Sequence, residues 1–289
     1  MAVKSQSKEK AHKTDANARP IHPDAGPTSV LTLRRPSAHG GYGWMRDLPD
    51  ARDYLYAAPL DKFAKGLPAK VDLRPQCPPV YDQGQLGSCT ANGIAAAIEF
   101  DQRKQGNKEF VPSRLFIYYN ERVIEGTVSQ DSGAQIRDGV KVVAKLGAPP
   151  ETDWPYNIAK FAQKPPAQAY TDALQDLATY YTRVTQNLAQ MQGCLADGYP
   201  FVFGFTVYQS FESQAVAKTG IVPMPAPGES VLGGHCVVAV GYNNPTRQFI
   251  VRNSWGTGWG LAGYFMMPYE YLISTNLASD FWTIRSVTG

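Results

Sequence analysis

Tyr81 to Phe100 reads YDQGQLGSCTANGIAAAIEF, and its two halves obey different rules. The first half is a loop: Gln83 is bracketed by Gly84 and Gly87 and preceded by the proline-fixed CPPV. In the second half Ala91, Ile94, Ala95, Ile98 and Gln102 recur at the spacing of one helix face, and Gly106 is a natural C-terminal cap. A helix is therefore expected from about Ser88 to Gln105, with Cys89 in its first turn. There the positive end of the helix dipole favours a thiolate, and a neighbouring imidazolium would favour it further. Taken alone, Cys89 fits equally well as a small buried residue that starts a core helix.

Working outward, Ser113 opens a second expected helix (SRLFIYYNERVI), Ile136 to Leu146 a third, and Thr171 to Tyr181 and Leu188 to Ala196 add helical turns. Upstream, VDLRP (71–75) reads as an extended entry strand. After Pro200 the pattern turns to β-branched and aromatic runs: 201–207, 235–242, 248–254, 263–267 and 280–287, with Asn243 to Arg247 as a hairpin loop. A helical half followed by an antiparallel β half predicts an α+β protein with its ligand cleft between the two.

Composition narrows the chemistry. A chain of 289 residues, 43% hydrophobic, can bury a sizeable core as one large domain or two lobes. Its formal charge of +3 is already accounted for by Lys4, Lys8, Lys10, Lys13 and Arg19 against Glu9 and Asp15, so the body is neutral and no nucleic-acid footprint is expected. No apolar run approaches a membrane span and the N-terminus lacks a secretory core, which predicts a cytoplasmic protein or one exported by an unconventional route. Cys77, Cys89, Cys194 and Cys236 are too few for a disulfide scaffold and show no zinc spacing, so no metal is expected. His12, His22 and His39 lie in the polar extension. That leaves His235 as the single body imidazole able to serve a cysteine.

His235 starts a strand, and Asn253 ends the next one across the hairpin, where a side-chain amide can orient the ring without adding a second negative charge. The Gln83 amide and the backbone N–H of Cys89 can aim at one point, as an oxyanion hole requires. Trp255 and Trp259 are expected to exclude water or wall the leaving-group side, though ordinary aromatic core explains each of them as well.

DQGQLGSC, GGHCVVAVGY and VRNSWGTGWGLAGYF, in this order and at these separations, resemble the papain-like cysteine peptidases, in particular a short bacterial type. The resemblance covers about Leu67 to Gly289. It implies a two-lobed fold, helical over about 67–180 and β-barrel-like over about 181–289. It also implies Cys89 as nucleophile, His235 as acid and base, Asn253 as orienter and Gln83 as oxyanion donor, with no cofactor. Gly133 and Ala134 would pair with the substrate backbone, while Gly204, Phe205 and Gly234 would frame an apolar pocket.

The departures are informative. The usual first cysteine of the nucleophile motif is Leu86, which removes a usual disulfide. Thr90 replaces an aromatic, which is expected to open space beside the thiol. Cys236 replaces a common alanine, and strand alternation should point it away from the cleft. The family's long helical propeptide motif is absent. Residues 1–66 are read as an N-terminal extension, disordered or loosely draped to about residue 38. Gly40 to Pro59, carrying Tyr42, Trp44, Leu48, Tyr54 and Tyr56, is too apolar to stay solvated and is expected to dock, on the back surface or in the cleft as an intramolecular inhibitor. The function implied is a monomeric endopeptidase acting on protein or peptide substrates. A transpeptidase on the same site and a silent peptide-binding module are the rivals.

Overall fold

The structure, a computed structural model, describes residues 41–59 and 66–288, so the reading of residues 1 to about 38 as a loose tail lies outside the described residues. The helical half is built on α1 (Cys89–Gln105), α2 (Arg114–Glu125) and α3 (Ile136–Lys145). α1 ends at Gly106 with a left-handed φ of 71°, and α2 runs from a Ser113 cap, whose hydroxyl accepts from Phe116 N–H, to Gly126 with φ 70°. α1 is buried on nearly every face because it lies between the other helices and the sheet. Its alanines and Gly93 permit this close approach: a Cβ on Gly93 would come within 3.2 Å of Val202 and 3.3 Å of the Cys236 sulfur.

The main sheet runs in the order β2 (Leu55–Tyr56), β5 (Ala178–Val184), β10 (Ala278–Val287), β6 (Phe201–Tyr208), β7 (Val231–Asn243), β8 (Gln248–Arg252) and β9 (Tyr264–Pro268), with β3 (Lys70–Asp72) beside β7. Its pairings are antiparallel except that of β2 with β5. The fold is α+β as expected, but the β half is an open sheet, not a barrel. Neither edge is long and open: the edge strand β2 is two residues, and at the other end the backbone of Gly220–Val222 bonds to Met266 of β9.

Two local expectations need correction. The helix expected over 171–181 ends by Ala173, and 178–184 (ATYYTRV) is strand β5, as its β-branched and aromatic residues favour. The entry strand stops at Asp72, and Pro75 sits in a 3₁₀ turn, Arg74–Gln76.

Of the two docking places open to the N-terminal segment, the structure has the cleft. β1 (Trp44–Met45) pairs in parallel with β4 (Ala134–Gln135), and the chain continues over α3 and β10 to β2.

Candidate active site

Cys89 is the first residue of α1, and β7 carries His235 past it. Both are wholly buried. His235 Nε2 lies 2.8 Å from Asn253 Oδ1, an oxygen that also accepts the Ser254 N–H at 2.8 Å. An acceptor there makes Nε2 the protonated nitrogen and leaves the Nδ1 lone pair without a hydrogen-bond partner among the described residues. The Trp255 ring stacks on the imidazole, with centroids 4.9 Å apart at 28°, and Trp259 braces Trp255 edge-on at 5.2 Å. Asn253, Trp255 and Trp259 are thus brought together with His235.

Gln83 is held in a fixed orientation. Ser254 Oγ donates to its Oε1 at 2.5 Å, its backbone N–H donates to Ser254 O at 2.9 Å, and Tyr156 OH donates to its carbonyl at 2.9 Å. The amide nitrogen then points inward and donates at 2.9 Å both to Leu86 O of its own loop and to the carbonyl of Gly41. Ser254 is a supporting residue that the sequence reading missed; its place beside Asn253 was the available signal.

The cleft is filled by Gly41 to Met45. Gly43 N–H donates to Gly234 O at 3.2 Å, and Ala134 N–H donates to Gly43 O at 2.7 Å. Gly133, with φ 76°, has no room for a side chain: a Cβ would lie 2.0 Å from Gly43 O. Tyr42 packs edge-on to His235 and near Trp255. The Trp44 indole fills a pocket made possible by Gly204 and Gly234, where a Cβ would lie 1.9 Å from the Trp44 ring and 2.5 Å from Trp44 O, respectively. At the end of that pocket the indole N–H donates to Asp280 Oδ2 at 3.2 Å. Asp280 was not foreseen, because nothing in DFWTIRSV marks its aspartate as facing a pocket. Phe205 lies on the opposite face of β6 from Gly204 and packs on Phe211 and Tyr271 behind the imidazole, so it does not frame the pocket.

The space beside the thiol is closed as well. Thr90 is fully buried and donates its hydroxyl to Glu121 at 2.8 Å. Cys236 points away from His235 toward Gly93, and all four cysteines are free.

Burial decides the protonation states. The Cys89 thiol is pushed up to about 12, against the pull of the Cys236 and Gly43 backbone N–H groups on its sulfur. His235 is pushed down to about 4 by burial, which outweighs its bond to Asn253. The expectation of an activated thiol therefore does not describe the filled cleft: desolvation disfavours thiolate and imidazolium together and exceeds the helix dipole. Among the described residues no three His, Cys, Asp or Glu side chains converge to hold a metal ion, and no described helix is long and apolar enough to cross a membrane.

Residues 67–281 match the model of the papain family cysteine proteases. Among solved structures, xylellain, a cysteine protease from Xylella fastidiosa, is 47% identical with a TM-score of 0.81, over 89% of this chain and 99% of that one. A peptidase C1-like protein of Acanthamoeba polyphaga mimivirus is 45% identical over 86% of this chain and 87% of its own length. Cysteine proteinase 3 of Entamoeba histolytica is 29% identical over 79% and 70%, respectively. Digestive procathepsin L 3 of Tenebrio molitor, 19% identical with a TM-score of 0.61, shares the fold.

Proposed function

The chain belongs to the papain family of cysteine proteases, and on that premise we propose that it is an endopeptidase working through Cys89, His235 and Asn253, held latent by its own residues 41–59. The Cys89 sulfur attacks a peptide carbonyl carbon while the Gln83 amide and the Cys89 N–H hold the developing oxyanion. His235 Nδ1 passes the thiol proton to the leaving amine. The same nitrogen then takes a proton from water, which attacks the thioester carbonyl and releases the acid and the Cys89 thiol. Asn253 keeps Nδ1 turned to the sulfur throughout by accepting from Nε2. The polypeptide being cut is a protein or peptide, its backbone paired with Gly133 and Ala134 and one side chain lodged between Gly204 and Gly234.

The observation that carries the latency is the direction of the segment. The amine leaves a substrate beside His235, so the residues after the cut lie on the Tyr42 side and those before it in the Trp44 pocket. The segment runs from Tyr42 to Trp44, the reverse order, with its Gly43 N–H committed to Gly234 O and its Gly43 carbonyl to the Ala134 N–H. Residues 67–289 are then the catalytic unit and residues 1–66 its latency device.

Peptide hydrolysis by the full chain, by a form starting near Leu67 and by Cys89→Ala tests both halves. The short form should cleave at least about a hundredfold faster than the full chain, a factor that corresponds to about 2.7 kcal/mol of docking, and Cys89→Ala should not cleave. Equal rates for the full and short forms overturn latency. Cleavage by Cys89→Ala overturns the catalytic assignment.

A further inference from the structure

Beyond the cleft the segment enters a second site. Asp53 receives Arg137 through two bonds, Nε at 3.0 Å and Nη2 at 2.6 Å, and Arg183 Nη1 at 3.1 Å. Arg137 lies in the first turn of α3 and Arg183 on β5, so both belong to the body. The remaining bond of the Arg137 guanidinium goes to the carbonyl of Leu48, again in the segment. Arg183 keeps one body partner, Asp280 at 3.0 Å, and both guanidiniums stand 5.8 Å from the Trp282 ring. With the segment docked, two guanidiniums meet three carboxylates, those of Asp47, Asp53 and Asp280. Without it, among the described residues, they meet only Asp280.

Departure of the segment therefore strips Arg137, 4% exposed as docked, of its described hydrogen-bond partners. Its guanidinium stays backed by the Trp282 indole, and a planar fork is shaped for a carboxylate. Lys141, one turn further along α3, shares with Arg137, Tyr181 and Trp282 a cavity of about 290 Å³ that opens beside Asp53. The fork also lies within reach of the cleft. Asp47, three residues from Trp44, accepts from the Arg137 backbone N–H at 3.1 Å and lies 3.9 Å from the Arg183 guanidinium, so a chain leaving the Trp44 pocket reaches the Arg183 side of the fork after roughly 10 Å of extended backbone.

Resting on the reading that the segment yields the cleft to substrate, we propose that Arg137 and Arg183 form an exosite that takes an acidic side chain of a polypeptide substrate, on the amino-terminal side of the cleaved bond. The bond would form without chemistry: a carboxylate replaces Asp53 in the fork. The exosite would thus favour acidic stretches upstream of an aromatic residue that fills the Trp44 pocket.

The test uses the full-length chain carrying Cys89→Ala, Trp44→Ala and Asp53→Asn, which silences cleavage, loosens the segment and empties the fork. Two fluorescein-labelled peptides are titrated by anisotropy at low salt, identical except for Asp or Asn three positions before a tryptophan. The Asp peptide should bind at least about tenfold more tightly than its twin, as one charged hydrogen-bonded contact provides. That gap should close in high salt and on adding Arg137→Gln, or Arg183→Gln where the former does not fold. Equal binding of the twins overturns the exosite and leaves the cleft reading standing. Binding of neither overturns the cleft reading, and the exosite with it.

Discussion

Two stretches of one short segment hold to the body by different physics. Gly41 to Met45 relies on hydrogen bonds of its backbone to Gln83, Ala134 and Gly234 and on two buried rings, Tyr42 beside His235 and the Trp44 indole in a glycine-lined pocket. Asp47 to Tyr56 relies on carboxylates: Asp47 on the Trp282 N–H at 2.9 Å and the start of α3, and Asp53 on the fork. The first set of contacts is what any peptide in the cleft would make, so it blocks well but confers little distinction from substrate. The second set depends on particular side chains at particular positions, so it supplies the specificity of docking. A peptidase whose inhibitor used only the first mode would be displaced by whatever it digests.

Breaking each mode separately measures the difference. Trp44→Ala removes the larger of the two side chains that the cleft half buries, about 3–5 kcal/mol for a tryptophan in a packed site. Alkylation of Cys89 by iodoacetamide in the full chain at pH 7 should then accelerate by roughly 150- to 5,000-fold. Asp53→Asn spoils the bidentate bond and leaves Arg137 partly unpaired, about 2–3 kcal/mol, so the acceleration should be roughly 30- to 150-fold. Unchanged alkylation in Asp53→Asn would mean the anchor half is decoration. Additive effects in the double variant are not expected, because loss of either half frees the other.

The anchor half was the least legible part of the sequence. The motif around Cys89, the strand of His235 and the turn of Asn253 were readable because each needs a local pattern: a glycine-bracketed loop opening a helix, or a strand beside a hairpin. The strand periods after Pro200 were equally plain, since Val, Phe and Tyr alternate with turn residues. Residues 178–181 read as a helix end because the run upstream of Ala173 is helical; the β-branched and aromatic residues of ATYYTRV favour the strand, and pairing with β10 decides it. Arg137, Arg183, Asp47 and Asp53 carry no local signature at all. Each is an ordinary charged residue until the chain brings positions 47, 53, 137, 183 and 280 together. The protonation of the thiol was missed for the same reason: the helix dipole is visible in sequence, while burial under Gly43 is a tertiary effect.

The smallest predicted effect tests whether the anchor responds to pH. Burial first, and then the neighbouring Asp280 carboxylate, raise Asp47 to about 6, although the Trp282 and Arg137 N–H groups pull the other way. Asp280 is raised too, by burial, despite Arg183 and the Trp44 and Asp47 N–H groups on it. A carboxyl whose pKa is higher when docked than when free favours docking in its protonated form. Its contribution is therefore complete below the ordinary carboxylate range and is lost as pH rises through about 6. Between pH 5 and pH 7 this should loosen docking about tenfold. Cys89 and His235 titrate in the same experiment, but they do so equally in Asp47→Asn, so the ratio of the two alkylation rates isolates the carboxyl. Wild type relative to Asp47→Asn should rise by about tenfold across that interval. A flat ratio would show that Asp47 is ionised and fully paired as docked, and that the anchor is a fixed clamp whose grip owes nothing to the Asp47–Asp280 contact.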